Sequence, residues 1–211
     1  MSFESAEVRK ALRVLCKKDP VLAGVVKNVG SFALVPDPGG YNVLVRSILS
    51  QQISVAAART IRSRLQSILP GGKITAKQFH LLADEQLQSV GISRQKLTYL
   101  RHLTCCTLDG TINFRRIAKQ SDEDAIAELI QVKGIGRWTA QMYLMFSLGR
   151  IDVFAPDDLG LRNAISRLYE LPESSRRADL ELIAEQWRPY RTVASWYLWR
   201  SLEEKVNVTE K

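Results

Sequence analysis

Two glycines one residue apart, Gly134 and Gly136, lie in a short break between two helix-forming stretches. Since glycine adopts positive φ angles without a steric cost, this G-I-G triplet predicts a tight hairpin. The second helix would begin at Arg137, where unpaired backbone N–H groups and the positive end of the helix dipole form an anion site that fits a phosphate. An ordinary turn between helices is the alternative for so short a motif.

A pair of aspartates, Asp157 and Asp158, follows Pro156 after an apolar segment at 151–155. A carboxylate here can stabilise a developing positive charge, and it can position or deprotonate an attacking water molecule. Either aspartate can instead cap the helix that begins at this point, since aspartate is frequent at helix N-termini. Spacing alone leaves both roles open.

The balance of charges indicates a polyanionic partner. The 211 residues include 30 Lys and Arg against 22 Asp and Glu, with a formal net charge of +8 and a pI near 9.6. Nucleic acid is the simplest such partner, and a basic, well-solvated surface is the alternative. The length allows one domain or two small subdomains.

Cysteine and histidine are too few for several kinds of site. The chain has three cysteines, Cys16 and the adjacent Cys105 and Cys106. This odd number does not predict a disulfide framework, and it is smaller than the four thiolates that an iron–sulfur cluster needs. His80 and His102 are too few for most zinc sites or a Ser-His-Asp arrangement. No apolar run approaches the ~20 residues of a membrane span, and no signal-peptide pattern is present.

The elements that must position these residues are predicted to be helices, because no stretch alternates with the period of a strand. Asp19-Pro20 is a helix-start signal, Ser54 can cap a long helix, and the chain from about residue 206 is predicted to be frayed. The predicted helices span residues 6–16, 20–26, 41–49, 54–68, 75–82, 84–90, 93–107, 113–118, 121 to the hairpin, 137–148, 158–169, 176–186 and 191–204.

Four segments together resemble the helix-hairpin-helix DNA glycosylase superfamily and, within it, the alkylbase branch of 3-methyladenine DNA glycosylase II type. They are residues 132–140 (V-K-G-I-G-R-W-T-A), 153–158 (V-F-A-P-D-D), 47–54 (S-I-L-S-Q-Q-I-S) and 184–191 (A-E-Q-W-R-P-Y-R). The resemblance covers roughly residues 40–200.

This resemblance implies an all-α fold of two helical lobes with an active-site cleft between them. Residues 33–147 would form a six-helix barrel that includes the helix-hairpin-helix at about 121–148. Residues 1–32 and 148–211 would form a lobe built from both chain termini.

The implied activity is base-excision repair of double-stranded DNA by hydrolysis of the N-glycosidic bond of alkylated purines after base flipping. Asp158 would be the catalytic carboxylate, and Asp157 would cap the helix. Trp138 stands where lyase-competent relatives have a lysine that forms a Schiff base with the sugar, so the resemblance implies a monofunctional enzyme that leaves an abasic site.

The resemblance also assigns residues to the base and to the DNA. Trp138 and Trp199 would line the base pocket and attract a cationic base by cation–π interaction, with ordinary core packing as the alternative. Met142 would be a softer wall, and Gly160, where relatives often have a larger residue, would widen the pocket. Gln52 would fill the gap left by the flipped nucleotide, unless its loop only precedes a capped helix. The implied DNA contacts are Gln51, Gln52, Ile53, Ser54, Lys133, Gly134, Ile135, Gly136 and Arg137.

Lys133 occupies a hairpin position that is usually proline in the family, and we interpret it as a phosphate contact rather than a nucleophile. A monovalent cation, Na⁺ or K⁺, bound by the backbone carbonyls of Ile130, Val132 and Gly134 is a further implication. No other cofactor is expected. An iron–sulfur cluster near the C-terminus, which some relatives carry, is not expected here because no cysteine follows Cys106.

Two other functions stay open at this stage: a helix-hairpin-helix module that only binds DNA, and a glycosylase for deaminated or oxidised purines. Asp158 separates the first of these from an enzyme, since a pure binder has no use for a carboxylate that repels phosphate. We expect a monomer without a membrane association. The expected location is cytoplasmic and nucleoid-associated in a bacterium, or nuclear in a eukaryote.

Overall fold

The computed structural model describes residues 5–172 and 174–203, and these ranges contain helices and no strand, which confirms the predicted all-α class. No helix in these ranges combines the length and the apolar composition needed to cross a membrane. The predicted frayed segment from residue 206 lies outside the described residues. The helices are α1 (Ser5–Lys18), α2 (Pro20–Val29), α3 (Gly40–Ser50), α4 (Val55–Ser67), α5 (Ala76–His80), α6 (Asp84–Ser89), α7 (Arg94–Leu108), α8 (Phe114–Ile117), α9 (Asp122–Leu129), α10 (Arg137–Phe146), α11 (Leu159–Leu168), α12 (Arg177–Glu185) and α13 (Arg191–Glu203), with a short 3-10 helix at Pro70–Gly72.

Side-chain caps begin many of these helices, as the sequence predicts. Asp19 accepts a hydrogen bond from the Leu22 amide at 3.0 Å, and Ser54 accepts one from the Ala57 amide at 3.2 Å. Each cap satisfies one of the backbone donors that a helix leaves unpaired in its first turn. The same role belongs to Thr75, Ser93, Asn113 and Ser121.

The chain divides into two compact units, and the division falls inside α10. One unit is Met1–Pro36 together with Leu144–Lys211, and the other is Asp37–Tyr143.

In the unit that contains both ends of the described chain, α13 contacts α1, α2 and α11. Its core includes the fully buried Trp187, whose indole Nε1 donates to Asp19 Oδ2 at 2.8 Å. The Tyr169 hydroxyl donates to the same oxygen at 2.5 Å. Asp19 therefore caps α2 and also satisfies two aromatic donors in the interior.

In the unit of residues 37–143, α7 contacts α3, α5 and α6, and α3 contacts α4. Leu44, Ile48, Leu100 and Leu103 are completely buried along α3 and α7. Burying an aliphatic side chain of this size stabilises a fold by about 1.5–3 kcal/mol. This packing supports both the α3–α4 loop (residues 51–54) and the hairpin (residues 130–136).

Candidate active site

Asp158 is held by donors from two helices. It is the N-cap of α11, where its Oδ1 accepts a hydrogen bond from the Leu161 amide at 2.8 Å. The same Oδ1 accepts a second bond, also 2.8 Å, from the indole Nε1 of Trp199 on α13. The side chain is partly exposed. Since bonds to a carboxylate are stronger than those between neutral groups, these two donors fix the orientation of the carboxyl group while leaving it accessible to solvent.

Asp157 does not cap α11, and the prediction that it does is wrong. Its exposed carboxylate pairs with Arg177 Nη1, at 3.2 Å and 3.0 Å for the two oxygens. The Asp158 amide donates to the Ala155 carbonyl at 3.0 Å, and this turn places Asp158, with φ −72° and ψ 120°, at the position before the first helical residue. A side chain at that position reaches the amide three residues on, which Asp157 cannot do.

Gly160 allows the aspartate and the indole to meet. A Cβ at residue 160 would lie 3.1 Å from Asp158 Oδ1 and 3.1 Å from Trp199 Cδ1. The absence of a side chain at residue 160 therefore leaves room for the indole beside the Asp158 carboxylate. The widening of a base pocket by Gly160 stays a prediction. Phe146 lies beside Trp199, with ring centroids 5.6 Å apart. Phe146 is an aromatic neighbour that sequence reasoning missed, although it ends the aromatic-rich run of α10.

The two hairpin glycines have different roles. Gly134 has φ +82°, and a Cβ there would lie 2.2 Å from the ring of Tyr99, so both the backbone angle and the packing require glycine. Gly136 is not among the glycines with positive φ, and a Cβ there would meet nothing within 4 Å. Only the first glycine of the triplet therefore has the positive φ angle on which the hairpin prediction rests. Gly136 instead leaves the N-terminus of α10 uncovered, as the approach of an anion requires.

Lys133 has a backbone role that the family's usual proline could not fill. Its amide donates to His102 Nδ1 at 3.0 Å, and its side chain is exposed. On the other side of the hairpin, Arg137 Nη2 donates to Glu123 Oε1 at 2.5 Å, and this bond lowers the pKa of Glu123. A phosphate bound by Arg137 would have to share this guanidinium with Glu123. Ile135 is buried and anchors the hairpin.

The α3–α4 loop is attached to the hairpin through Gln51, whose Nε2 donates to the Gly134 carbonyl at 2.9 Å. Lys96 Nζ donates to the Leu49 carbonyl at 2.6 Å, at the end of α3. Gln52 is exposed with φ +55°, a left-handed conformation that costs a residue with a side chain about 1–2 kcal/mol. Ile53 is 38% exposed. The loop thus holds Gln51 inward and leaves Gln52 and Ile53 at the surface.

The remaining predicted residues belong to α10. Trp138 is partly exposed in the first turn, and Met142 is buried one turn later. Both lie in the unit of the hairpin, whereas Asp158, Gly160 and Trp199 lie in the other unit.

Two of the three hairpin carbonyls that are predicted to bind a cation already accept a hydrogen bond. The Val132 carbonyl accepts from the Ile135 amide at 3.0 Å, and the Gly134 carbonyl accepts from Gln51. Each carbonyl oxygen has two lone pairs, so one remains for a further ligand. Within residues 5–172 and 174–203, no group of three or more His, Cys, Asp or Glu is placed to hold a metal ion.

Comparison with known proteins identifies the family. The model of the HhH-GPD superfamily base excision DNA repair protein matches residues 45–189. DNA-3-methyladenine glycosylase 1 of Schizosaccharomyces pombe is 37% identical over 213 residues, which cover 95% of this chain and 93% of that protein.

Two solved structures are also similar. The S. pombe 3-methyladenine DNA glycosylase Mag1 in complex with abasic DNA has a TM-score of 0.84 and 34% identity, covering 92% of this chain and 97% of that chain. The DNA-3-methyladenine glycosidase of Bacillus halodurans has a TM-score of 0.78 and 32% identity, covering 98% of both chains. The chain therefore belongs to the helix-hairpin-helix (HhH-GPD) superfamily of base-excision DNA repair proteins and, as its sequence resemblance predicts, to the alkylbase branch of that superfamily.

Proposed function

We propose that the protein is a monofunctional DNA glycosylase that removes alkylated purines of the 3-methyladenine type from duplex DNA. Its membership of the alkylbase branch and the names of its relatives support this activity. The observation on which the proposal rests most heavily is the Asp158 carboxylate, which the α11 backbone and the Trp199 indole hold in one orientation. A module that only binds DNA would have no use for this arrangement.

The proposed reaction breaks the bond between C1′ of the deoxyribose and the purine nitrogen. The bonding electron pair leaves with the base, and the sugar acquires oxocarbenium character. A carboxylate at ~4 Å in a medium of effective dielectric constant about 20 stabilises this charge by ~4 kcal/mol, or roughly a thousandfold in rate. Asp158 would supply this stabilisation and would position or deprotonate the water that attacks C1′.

A cationic base needs little help to leave, because it departs as a neutral molecule. The proposed contacts for it are the electron-rich faces of Trp138 and Trp199, each of which attracts a cation by about 0.5–2 kcal/mol. Met142 lies one turn after Trp138 on the same helix and would add an apolar contact. Because Trp138 replaces the Schiff-base lysine of lyase-competent relatives, we expect no cleavage of the DNA strand.

DNA is the partner. We propose that two surface features hold it as a duplex. The open N-terminus of α10 beside Gly136 would bind a phosphate through backbone N–H groups, with the exposed Lys133 adding charge. The exposed Gln52 would enter the duplex and fill the gap left by the flipped nucleotide.

The proposal includes a monovalent cation, Na⁺ or K⁺, at the carbonyls of Ile130, Val132 and Gly134. Such an ion would supply positive charge to a neighbouring phosphate. We propose that no other cofactor is required and that a single chain acts on each lesion, in the compartment that contains the chromosome.

The decisive experiment compares Asp158→Asn with the matched control Asp157→Asn. Asparagine caps a helix as well as aspartate does, so Asp158→Asn should preserve the fold and remove only the charge. The substrates are duplexes that contain 3-methyladenine, 7-methylguanine, hypoxanthine or ethenoadenine. We expect Asp158→Asn to lose about a thousandfold in the rate of base release while retaining DNA affinity, and Asp157→Asn to be close to wild type.

The products distinguish the alternatives. Released base with strand breaks only after alkali supports the monofunctional enzyme, whereas breaks without alkali contradict it. Binding without release of any base would leave only the DNA-binding module. Full activity of Asp158→Asn would show that a different residue carries out the chemistry.

A further inference from the structure

A basic pocket of about 230 Å³ lies between α3 and α4, directly before the α3–α4 loop. Three arginines form part of its wall, and small or apolar residues form the rest. The lining residues are Arg46, Leu49, Ser50, Ala58, Arg59 and Arg62.

The positive charge of this pocket is poorly compensated. Asp37 approaches Arg46 Nη1 at 3.6 Å, and no other carboxylate of the described residues pairs with Arg46, Arg59 or Arg62. The Nε of Arg62 is buried and has no hydrogen-bond partner. Burial and, to a smaller extent, the charge of Arg62 lower the pKa of Arg46, while the charge of Asp37 acts in the opposite direction. An anion that entered the pocket would offset the repulsion between these arginines.

A phosphate group suits the residues that line the pocket. Guanidinium groups present planar pairs of donors that fit phosphate oxygens. The apolar side chains of Leu49 and Ala58 lower the local dielectric constant, which strengthens the attraction between the charges. Ser50 lies in the wall and is followed after Gln51 by the exposed Gln52, so the pocket is close to the residue that would enter a duplex.

We propose that the pocket binds a backbone phosphate of duplex DNA beside the gap that Gln52 fills. This inference rests on the proposed function, because it needs the duplex to lie against the α3–α4 loop. The site is separate from the hairpin, which would hold a phosphate through backbone N–H groups. Two phosphate contacts in one unit would fix the register of the duplex on it.

The test is the salt dependence of duplex binding. Each phosphate contact contributes about −0.9 to the slope of log K against log of the salt concentration. We expect the double variant Arg59→Gln/Arg62→Gln to reduce the magnitude of this slope by about 0.9 and Arg59→Gln alone to reduce it in part. Arg64→Gln is the matched control, since this exposed arginine lies on α4 outside the pocket wall and removes the same charge. It should leave the slope unchanged.

Arg62 is half-buried, so thermal unfolding must show that the double variant is folded. Arg59 is exposed, so the single variant Arg59→Gln still tests the salt dependence if the double variant does not fold. Ethylation of single phosphates in the duplex provides a second measurement. In the wild type we expect one ethylated phosphate near the lesion to weaken binding, and in the double variant the same modification should have no effect.

Equal slopes for the pocket variants and Arg64→Gln, or an unchanged ethylation pattern, would overturn the proposal. So would a pocket that binds inorganic phosphate, detected by chemical-shift changes that the variants abolish, without any effect of these variants on DNA. Base release by the wild type on the same duplex is measured in parallel. Its absence would refute the proposed function whatever the slopes are, whereas release with unchanged slopes would refute only the phosphate pocket.

Discussion

Replacement of Trp199 by phenylalanine tests whether this residue acts through Asp158. Phenylalanine keeps an aromatic ring against Phe146 but removes the indole N–H that donates to Asp158 Oδ1 at 2.8 Å. The Leu161 amide remains as a donor, so the carboxylate keeps its place at the end of α11 and loses only one of its two restraints.

The size of the effect follows from this geometry. A hydrogen bond to a charged group contributes about 1.5–3 kcal/mol, and water can partly replace it because Asp158 is partly exposed. A loss at the lower end of that range, about 1.5 kcal/mol, corresponds to roughly a tenfold change in rate. We therefore expect base release to be about tenfold slower with saturating enzyme in a single turnover.

Trp196→Phe is the matched control, since Trp196 also lies on α13 and packs on Phe32 with ring centroids 4.8 Å apart. It should release the base at close to the wild-type rate. A second measurement places Trp199→Phe in the Asp158→Asn background. If Trp199 acts by orienting the carboxylate, the second change should add little there, because interacting residues are not additive.

Two results would refute this reasoning. Equal rates for the Trp199 and Trp196 variants would show that the bond to Asp158 has no catalytic role. A tenfold loss in both backgrounds would show that Trp199 contributes independently of Asp158, as a direct contact of the base would.

Four further predictions concern the hairpin and the core. Gly134→Ala should lower the free energy of unfolding by about 2–4 kcal/mol, because its Cβ would meet Tyr99 and its φ is positive, as urea denaturation would show. Gly136→Ala should leave that free energy within ~0.5 kcal/mol of the wild type but weaken duplex binding about fivefold, and unchanged affinity would exclude a phosphate at this point. Asp19→Ala should lower the free energy of unfolding by about 3 kcal/mol or more, since it removes the α2 cap and leaves two buried aromatic donors unpaired. A loss of thermal stability no larger than that caused by replacing an exposed aspartate with alanine would contradict this. Burial and the bond to Asp19 raise the pKa of Tyr169 above its ordinary value of 10.0, so above about pH 10 the unfolded state loses this proton while the native state keeps it. The free energy of unfolding should therefore fall as pH rises through that range, with a shallower fall in Tyr169→Phe, and parallel pH profiles for the two proteins would refute the assignment.

Local sequence signals determined most of the helices. Ser54, Ser121 and Asp19-Pro20 begin helices where the sequence predicts, because a cap acts on amides only two or three residues away. The G-I-G triplet likewise predicts the break between α9 and α10. These features need no information about the rest of the chain.

The contacts that define the candidate site join residues that are distant in sequence. Trp199 donates to Asp158 across 41 positions, and Gln51 donates to Gly134 across 83. Neither pairing has a local signal, since each depends on how the helices pack. For the same reason, the presence of Phe146 beside Trp199 could be found only in the folded chain.

The aspartate pair, Asp157 and Asp158, shows which features local sequence determines and which depend on tertiary packing. The sequence by itself determined that a carboxylate begins α11, because proline and aspartate are helix-start residues. A local turn, from the Asp158 amide to the Ala155 carbonyl, makes Asp158 the cap. Only the tertiary structure decided the other partners of the pair, Arg177 for Asp157 and the Trp199 indole for Asp158. A cap is a local bond between near neighbours, whereas the partner of a charge is chosen by packing that brings distant helices together.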